Sequence, residues 1–173
     1  MKLKDALARN LIFVGGKGGV GKTSVSHAIA RALSEQKKKT LWVGFEDPTK
    51  KPFQLEHPTP YLTLLNNSAH EAFEEYIGMK LGAPKLAQMF LNNSLLKSLI
   101  RASPGVHELV LLGKVWFERK NYDHVVVDLP STGYGLTMFQ ATRNFSEMLR
   151  GSPVSNDADG MLETFGKDRK SVV

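Results

Sequence analysis

The glycine-rich stretch GGKGGVGKT at residues 15–23 constrains the fold more than any other part of the chain. It directly follows the apolar run LIFV at 11–14, which is typical of a buried strand. From Lys22 through Ser34, small and apolar residues recur at helical spacing. The stretch is therefore predicted to join a strand to a helix, an arrangement in which loop N–H groups and the helix N-terminus favour a bound anion.

Four residues of this loop, Gly16, Gly21, Lys22 and Thr23, fit the pattern G-x-x-x-x-G-K-[ST]. In that pattern the glycines let the backbone curl around phosphates, the lysine reaches the β and γ phosphates, and the hydroxyl ligates Mg²⁺. Average composition gives the pattern a chance of roughly one in a hundred or less of arising by accident in such a chain. A flexible glycine turn is the alternative, but the flanking strand and helix favour a phosphate loop.

Two further buried strands are predicted. The segment TLWVGFE at 40–46 ends at the turn EDP, because Pro48 disfavours a helix that runs through it. The segment HVVVD at 124–128 is a continuous β-branched run, as expected for a parallel strand that is covered by helices on both faces. The final SVV at 171–173 is interpreted as the start of another strand.

Helical segments alternate with these strands. Ser103 and Pro104 are predicted as the N-cap and first residue of a helix that ends before NYD at 121–123. A longer helix is predicted from about 136 to 149 and a short one near 161–165. This alternation predicts an α/β fold with a mostly parallel sheet flanked by helices. Together with the phosphate loop, it predicts the fold of a P-loop NTPase.

The stretch from about 48 to 104 is predicted to be a helical insert in this domain. Its first part, KKPFQLEHPTP, is interpreted as a loop, whereas SAHEAFEEYIGMK and PKLAQMFLNNSLLKSLIR carry apolar residues at helical spacing. The rest of residues 1–173 is assigned to one P-loop ATPase domain, because 173 residues with 42% hydrophobic residues are enough for one core.

Composition excludes several kinds of chemistry. The chain has no cysteine, so it offers no disulfide, thiolate metal ligand or thiol nucleophile. Its five histidines show no HExxH spacing, so no transition metal is assigned. The net charge is +6, but the densest basic run, Lys37–Lys39, follows a helix pattern and is interpreted as solvated, so no nucleic-acid partner is expected. No long apolar segment occurs, and a cytoplasmic protein is expected.

The segment KGGVGKT also resembles the deviant Walker A motif of an ATPase class that includes the MinD/ParA proteins, the nitrogenase iron protein and the ArsA-like ATPases. In that class the first lysine, Lys17 here, reaches across a dimer interface to the partner's nucleotide. The resemblance therefore implies ATP as the nucleotide and a homodimer or a heterodimer of paralogues. A merely solvated Lys17 is the alternative.

The rest of the chain, from about Asn10 onward, resembles the ArsA-like branch. FEDPTK resembles its switch I, VVVDLPSTGYGL its switch II, and SPGVHE a P-G-x-x-E stretch of the same family. Lys50, Tyr134 and Gly135 depart from the family pattern in the two switches. The family usually continues for about another hundred residues, so the chain is interpreted as an N-terminal fragment, incomplete at the C-terminus of the domain.

The resemblance implies a role for each site residue. Lys17, Lys22 and Asp47 are the predicted catalytic residues, with Asp47 positioning the attacking water. Thr23 and Asp128 are the predicted Mg²⁺ ligands, and Ser131–Gly133 would sense the γ phosphate. The predicted nucleotide-binding residues are Gly16, Lys17, Gly18, Gly19, Val20, Gly21, Lys22, Thr23 and Ser24. A turn-forming role for Asp47 and a strand-end role for Asp128 are the structural alternatives.

The sequence thus predicts an ATP-hydrolysing dimeric switch of the ArsA-like family that couples Mg-ATP hydrolysis to an unidentified protein client, with only indirect membrane contact. Apolar residues of the insert are expected either to cradle that client or to form core: Met79, Leu86, Met89, Phe90, Leu91, Leu95, Leu96 and Leu99. A MinD/ParA-like positioning ATPase and a non-catalytic nucleotide-binding module are the alternative functions.

Overall fold

The computed structural model describes residues 7–45, 47, 49, 51, 53, 55–81, 105–148 and 153–167. Five strands form one sheet: β1 Leu11–Val14, β2 Thr40–Phe45, β3 Leu55–Thr59, β4 Leu62–Asn67 and β5 His124–Asp128. Their order is β1-β5-β2-β4-β3. All neighbouring strands are parallel except β3, which pairs with β4 in the antiparallel direction at the edge. The predicted α/β fold with a mostly parallel sheet is confirmed.

The helices of the described residues are α1 Lys22–Glu35, α2 Ala69–Leu81, α3 Val106–Glu118, α4 Thr132–Met148 and α5 Pro153–Lys167. The first of them agrees with the predicted bounds to within one residue. The third helix begins after Gly105, which has a φ of 87°. The cap predicted at Ser103 and Pro104 lies outside the described residues.

The strands β1, β5 and β2 are buried on both faces of the sheet, which explains their continuous apolar runs. Alternate residues of each strand face opposite sides because the side-chain period of a strand is two. One face packs against α3, α4 and α5 through Leu11, Phe13, Leu41, Val43, Leu65, Val125 and Val127. The other packs against α1 through Ile12, Val14, Trp42 and Val126. The phosphate-loop helix therefore lies alone on its side of the sheet among the described residues.

The prediction of a helical insert at 48–104 is wrong for its first part. Residues 55–67 form the hairpin of β3 and β4, and β4 extends the parallel sheet beside β2, in register from Thr40 and Leu62 to Phe45 and Asn67. The hairpin carries no helical or alternating pattern, since all of β3 is exposed and nearly all of β4 is buried. Helix α2 confirms the next predicted segment. PKLAQMFLNNSLLKSLIR lies outside the described residues, as does the predicted strand SVV.

Helix α5 is much longer than the short helix predicted near 161–165, and α4 begins at Thr132 rather than near 136. The polar, glycine-containing composition of GSPVSNDADG suggested a loop, but packing against the sheet overrides that local preference. Ala158 and Met161 of this helix are buried in the core. A Cβ on Gly160 would lie 3.0 Å from Cζ2 of Trp116. The glycine therefore lets α5 approach α3 closely.

An ion pair connects α3 to α2, and a second one lies within α3. The ammonium group of Lys114, whose side chain is 8% exposed, lies 2.7 Å from a carboxylate oxygen of Glu75 and 2.7 Å from one of Glu118. Burial raises the pKa of Glu118, but hydrogen bonds from Lys114 and Asn121 outweigh it, so the pKa lies below its ordinary value. This network fixes the packing of the two helices by charge as well as by apolar contact.

No helix among the described residues is long and apolar enough to cross a membrane.

Candidate nucleotide site

The glycine-rich loop lies at the carboxyl ends of two neighbouring parallel strands. Strand β1 pairs with β5, and Val14 is in register with Asp128. The backbone N–H of Leu129 donates to Val14 O at 3.0 Å, which extends this pairing past Asp128. The chain then leaves β1 and crosses to β2, on the other side of β5. The helices that follow these two strands, α1 after β1 and α4 after β5, pack on opposite faces of the sheet. Where neighbouring parallel strands connect to opposite faces in this way, their carboxyl ends form the crevice in which α/β proteins bind ligands.

The loop adopts a conformation that its glycines make possible. Gly19 and Gly21 have φ values of 78° and 89°, in the left-handed region that side chains disfavour, and Gly21 is the N-cap of α1. A Cβ at Gly16 would lie 3.1 Å from Cγ2 of Val20, so a side chain there would push the exposed Val20 side chain away by a few tenths of an ångström. The ammonium group of Lys22 donates to Lys17 O at 3.0 Å and so lies across the loop.

The structure brings Thr23 and Asp128 together, although they are distant in the sequence. The Thr23 hydroxyl donates to Oδ2 of Asp128 at 2.6 Å. The other carboxylate oxygen of Asp128, Oδ1, is buried and accepts no hydrogen bond from the described residues. A buried carboxylate oxygen without a partner is costly unless a cation or a water molecule pairs with it.

These two side chains fit the Mg²⁺ ion that the fold implies. Both supply the oxygen ligands that Mg²⁺ prefers, and such an ion takes only one or two protein ligands when phosphates and water complete its shell. The described residues contain no cluster of three or more His, Asp or Glu side chains that could hold a metal by themselves.

A buried hydrogen-bond chain supports the start of α1 from the sheet. The indole N–H of Trp42 on β2 donates to Ser26 Oγ at 2.9 Å, and the Ser26 hydroxyl donates to Thr23 O at 2.9 Å. The imidazole of His27 stacks on the indole, with ring centroids 4.0 Å apart. Ser26 is completely buried. Strand β2, which lies two positions from β1 in the sheet, thus supports the helical turn that carries Thr23.

Asp47 lies just beyond β2, where its carboxylate makes a local turn. Its Oδ1 accepts hydrogen bonds from the backbone N–H of Thr49 at 2.9 Å and from the Thr49 hydroxyl at 2.6 Å. Asn66 at the end of β4 forms two further hydrogen bonds with the Asp47 main chain. The turn that was the structural alternative for Asp47 is therefore present, and its water-positioning role stays a prediction.

The described contacts do not define the roles of the other predicted positions. Lys17 is exposed, as are Gly18, Gly19, Val20 and Ser24. Ser131 is exposed, and its carbonyl accepts a hydrogen bond from the N–H of Gly135 in the first turn of α4. Lys50 lies outside the described residues. The exposed position of Lys17 is compatible with contact to a partner's nucleotide and also with a lysine that is merely solvated.

Sequence reasoning missed Trp42 and Asn66. Trp42 supports the first turn of α1, which carries Thr23, and Asn66 holds the main chain of Asp47. Neither lies in a motif, and each acts on a residue that is not its neighbour in the chain. Trp42 was recognised only as part of a buried strand. A buried indole N–H requires a hydrogen-bond partner, and this was the only signal that could have indicated its role.

A cavity of about 380 Å³ lies between α2, α3 and α5, away from the phosphate loop. Its lining includes Met79, Trp116, Phe117 and Met161. Met79 is the one predicted client-groove residue among the described residues, and its side chain is exposed. The other predicted members of that groove lie outside the described residues.

The fold and the loop together define the class of the protein, which is a P-loop NTPase. A strand, a glycine loop with the required lysine and threonine, a helix, and an acidic residue at the end of the adjacent strand all occur in the expected order.

Comparison with known proteins indicates the family. The profile of the anion-transporting ATPase family matches residues 9–51. A putative arsenical pump-driving ATPase 2 from Aquifex aeolicus is 32% identical over 157 residues, covering 80% of this chain and 51% of that protein. An ATPase ASNA1 homolog 1 from Paramecium tetraurelia is 32% identical over 139 residues, covering 73% of this chain and 42% of that protein. ATPase BagA from Mycobacterium tuberculosis is 25% identical over 185 residues, covering 94% and 54% respectively.

These matches support the ArsA-like ATPase family, which is the family that the sequence predicts. The matched relatives are named ATPases, which is the enzyme class that the sequence predicts. The chain spans about half the length, or less, of the curated relatives it matches.

Proposed function

We propose that this chain forms the phosphate-binding part of an ATP-driven dimeric switch that hydrolyses Mg-ATP. The observation that carries the proposal is the hydrogen bond between Thr23 and Asp128, beside Lys22, with Oδ1 of Asp128 still without a partner among the described residues. A hydroxyl and a carboxylate that meet at the mouth of a phosphate loop have the chemistry to hold the cation of a nucleotide.

Phosphoryl transfer depends on charge neutralisation and in-line positioning more than on covalent chemistry with the protein. The loop N–H groups and the Lys22 ammonium group would neutralise the β and γ phosphates. Thr23 and Asp128 would hold Mg²⁺, which supplies further charge neutralisation and orients the phosphates when bound. Asp47 would align the attacking water, and Ser131–Gly133 would respond to loss of the γ phosphate.

Dimerisation is proposed from Lys17. An exposed lysine at the rim of the loop has the reach to contact a nucleotide held by a second chain, as the resemblance to the deviant Walker A class implies. We also propose that hydrolysis is coupled to a protein client in the cytoplasm. The 173 residues of the chain contain no cysteine, so they supply no thiol ligand for arsenite.

Titration calorimetry of Mg-ATP into this chain tests the phosphate site. We expect Lys22→Ala to weaken binding roughly 10- to 150-fold, since a hydrogen bond to a charged group contributes about 1.5–3 kcal/mol. Lys37→Ala is the matched control because Lys37 is exposed at the far end of α1, and it should leave the affinity unchanged. Equal affinities for Lys22→Ala and the wild type would remove the phosphate-loop assignment.

Release of inorganic phosphate separates the proposed switch from a non-catalytic module. Stoichiometric binding of Mg-ATP without any phosphate release would favour the module. Phosphate release that depends on Lys22 and Asp47 would favour the switch.

A further inference from the structure

A pair of hydrogen bonds joins Asn66 to the main chain of Asp47. The backbone N–H of Asp47 donates to Asn66 Oδ1 at 2.9 Å, and the Asn66 side-chain amide donates to Asp47 O at 3.1 Å. Asn66 is 6% exposed, so these bonds are shielded from water. A buried carboxamide that both accepts from and donates to one residue behaves like a peptide group of a neighbouring strand.

This contact occurs where regular strand pairing ends. Strands β2 and β4 are paired in register up to Phe45 and Asn67. Asp47 lies beyond the end of β2, and the Asn66 side chain supplies the partner that the next rung of the ladder would have provided. Pairing with β4 therefore continues to Asp47 through a side chain.

The surrounding bonds fix both parts of the contact. Asn66 O accepts from the backbone N–H of Phe53 at 2.8 Å, so a later part of the same connection is also held to β4. The adjacent residue, Asn67, is fully buried and donates its side-chain amide to Leu111 O of α3 at 2.9 Å. The end of β4 is thus bound to α3 as well as to the segment after β2. The carboxylate of Asp47 is oriented separately, by Thr49.

We propose that Asn66 is a positioning residue for Asp47, fixing the main chain from which the Asp47 carboxylate would align the attacking water. The inference rests on the proposed function, because it assumes that Asp47 takes part in ATP hydrolysis. The hydrogen bonds of the Asn66 side chain reach the segment after β2, at both polar groups of the Asp47 main chain and at Lys51 O, 3.5 Å away. Removing it should therefore slow turnover while leaving the affinity for Mg-ATP intact.

The first test compares Asn66→Ala with a matched control, Thr63→Val. Thr63 lies on the same strand and contacts His57 through its hydroxyl, so its replacement perturbs β4 without touching Asp47. We expect Asn66→Ala to lower kcat roughly 10- to 100-fold, the cost of a misplaced catalytic group, with the Kd of Mg-ATP within a factor of about two. Thr63→Val should change neither. Equal kcat values for Asn66→Ala and the wild type would overturn the inference.

The second test asks whether Asn66 works through Asp47. In an Asp47→Asn background the catalytic carboxylate is already lost, so adding Asn66→Ala should change kcat less than about twofold. A full further loss in the double variant would show that Asn66 acts independently, for instance through stability alone. Folding of each variant is checked by urea unfolding, and kinetics are compared only where the protein is folded.

A third measurement does not depend on activity. Hydrogen exchange of the peptide that contains Asp47 should be faster in Asn66→Ala than in the wild type or Thr63→Val, because the amide loses its buried acceptor. Unchanged exchange would overturn the inference even if turnover fell. A wild-type chain that binds no Mg-ATP would refute the proposed function, and the exchange result would still report whether Asn66 holds Asp47.

Discussion

Replacing Gly44 with alanine tests how the indole of Trp42 reaches the first turn of α1. Residues two positions apart on a strand share a face, and the Trp42 ring lies over Gly44 on β2. An added Cβ would lie 2.6 Å from Cη2 and 2.9 Å from Cζ3 of that ring. Because carbon atoms pack at about 3.5–4.0 Å, the ring would have to move away by about 1 Å.

The cost of this movement follows from two contributions. Overpacking a buried site costs about 1–3 kcal/mol. Displacement of the indole also breaks its 2.9 Å hydrogen bond to Ser26, which is buried, at a cost of about 1–3 kcal/mol. Alanine regains about 0.5–1 kcal/mol over glycine within a strand. We therefore expect Gly44→Ala to lower the free energy of unfolding by about 1–5 kcal/mol.

Urea unfolding followed by circular dichroism measures this change. Gly78→Ala is the control, since a Cβ there meets no atom within 4 Å, and an alanine inside α2 should stabilise by up to about 1 kcal/mol. In a Trp42→Phe background, which lacks both clashing atoms, Gly44→Ala should cost less than about 1 kcal/mol. A similar cost in both backgrounds would refute the placement of the indole over Gly44.

Two further predictions concern the dimer and the charge network. Lys17→Ala should leave the affinity for Mg-ATP near that of the wild type but suppress turnover. If two chains share each site, wild-type turnover should also rise more steeply than linearly with protein concentration. Turnover that is linear in concentration and unchanged by Lys17→Ala would disprove the role of Lys17 across a dimer interface. Glu118→Gln should lower the free energy of unfolding by about 1 kcal/mol at pH 7. Because the folded-state pKa of Glu118 is lowered, its stabilisation is present above the unfolded pKa and is lost as pH falls through the folded pKa. The difference from wild type should therefore vanish in acid, whereas the exposed Glu35→Gln control should show little difference at any pH.

Local sequence signals were sufficient for the strand, loop and first helix. The apolar run at 11–14, the glycine pattern and the helical spacing after Lys22 each report on residues close together in the chain, and the structure reproduces all three. The strand at 124–128 was equally clear because a parallel strand buried on both faces is apolar throughout. The resemblance of the two switch segments predicted the ArsA-like family, and the comparisons with known proteins support that prediction.

The hairpin at 55–67 and the full length of α5 were not predictable in this way. Strand β3 is exposed throughout and β4 is buried almost throughout, so neither carries a periodic pattern of its own. Helix α5 contains glycine and polar residues that favour a loop locally, but burial of Ala158 and Met161 against the sheet decides the outcome. Strand pairing in the hairpin and burial of α5 therefore overrode the local preferences.

The sequence by itself determined the phosphate loop, because the conformational freedom of glycine and the chemistry of lysine and threonine act within nine consecutive residues. Only the tertiary structure decided that Asp128 meets Thr23, that Trp42 holds Ser26, and that Asn66 holds Asp47. Each of these contacts joins residues from different strands and helices. Their geometry depends on the order and register of the strands in the sheet, which no local pattern specifies.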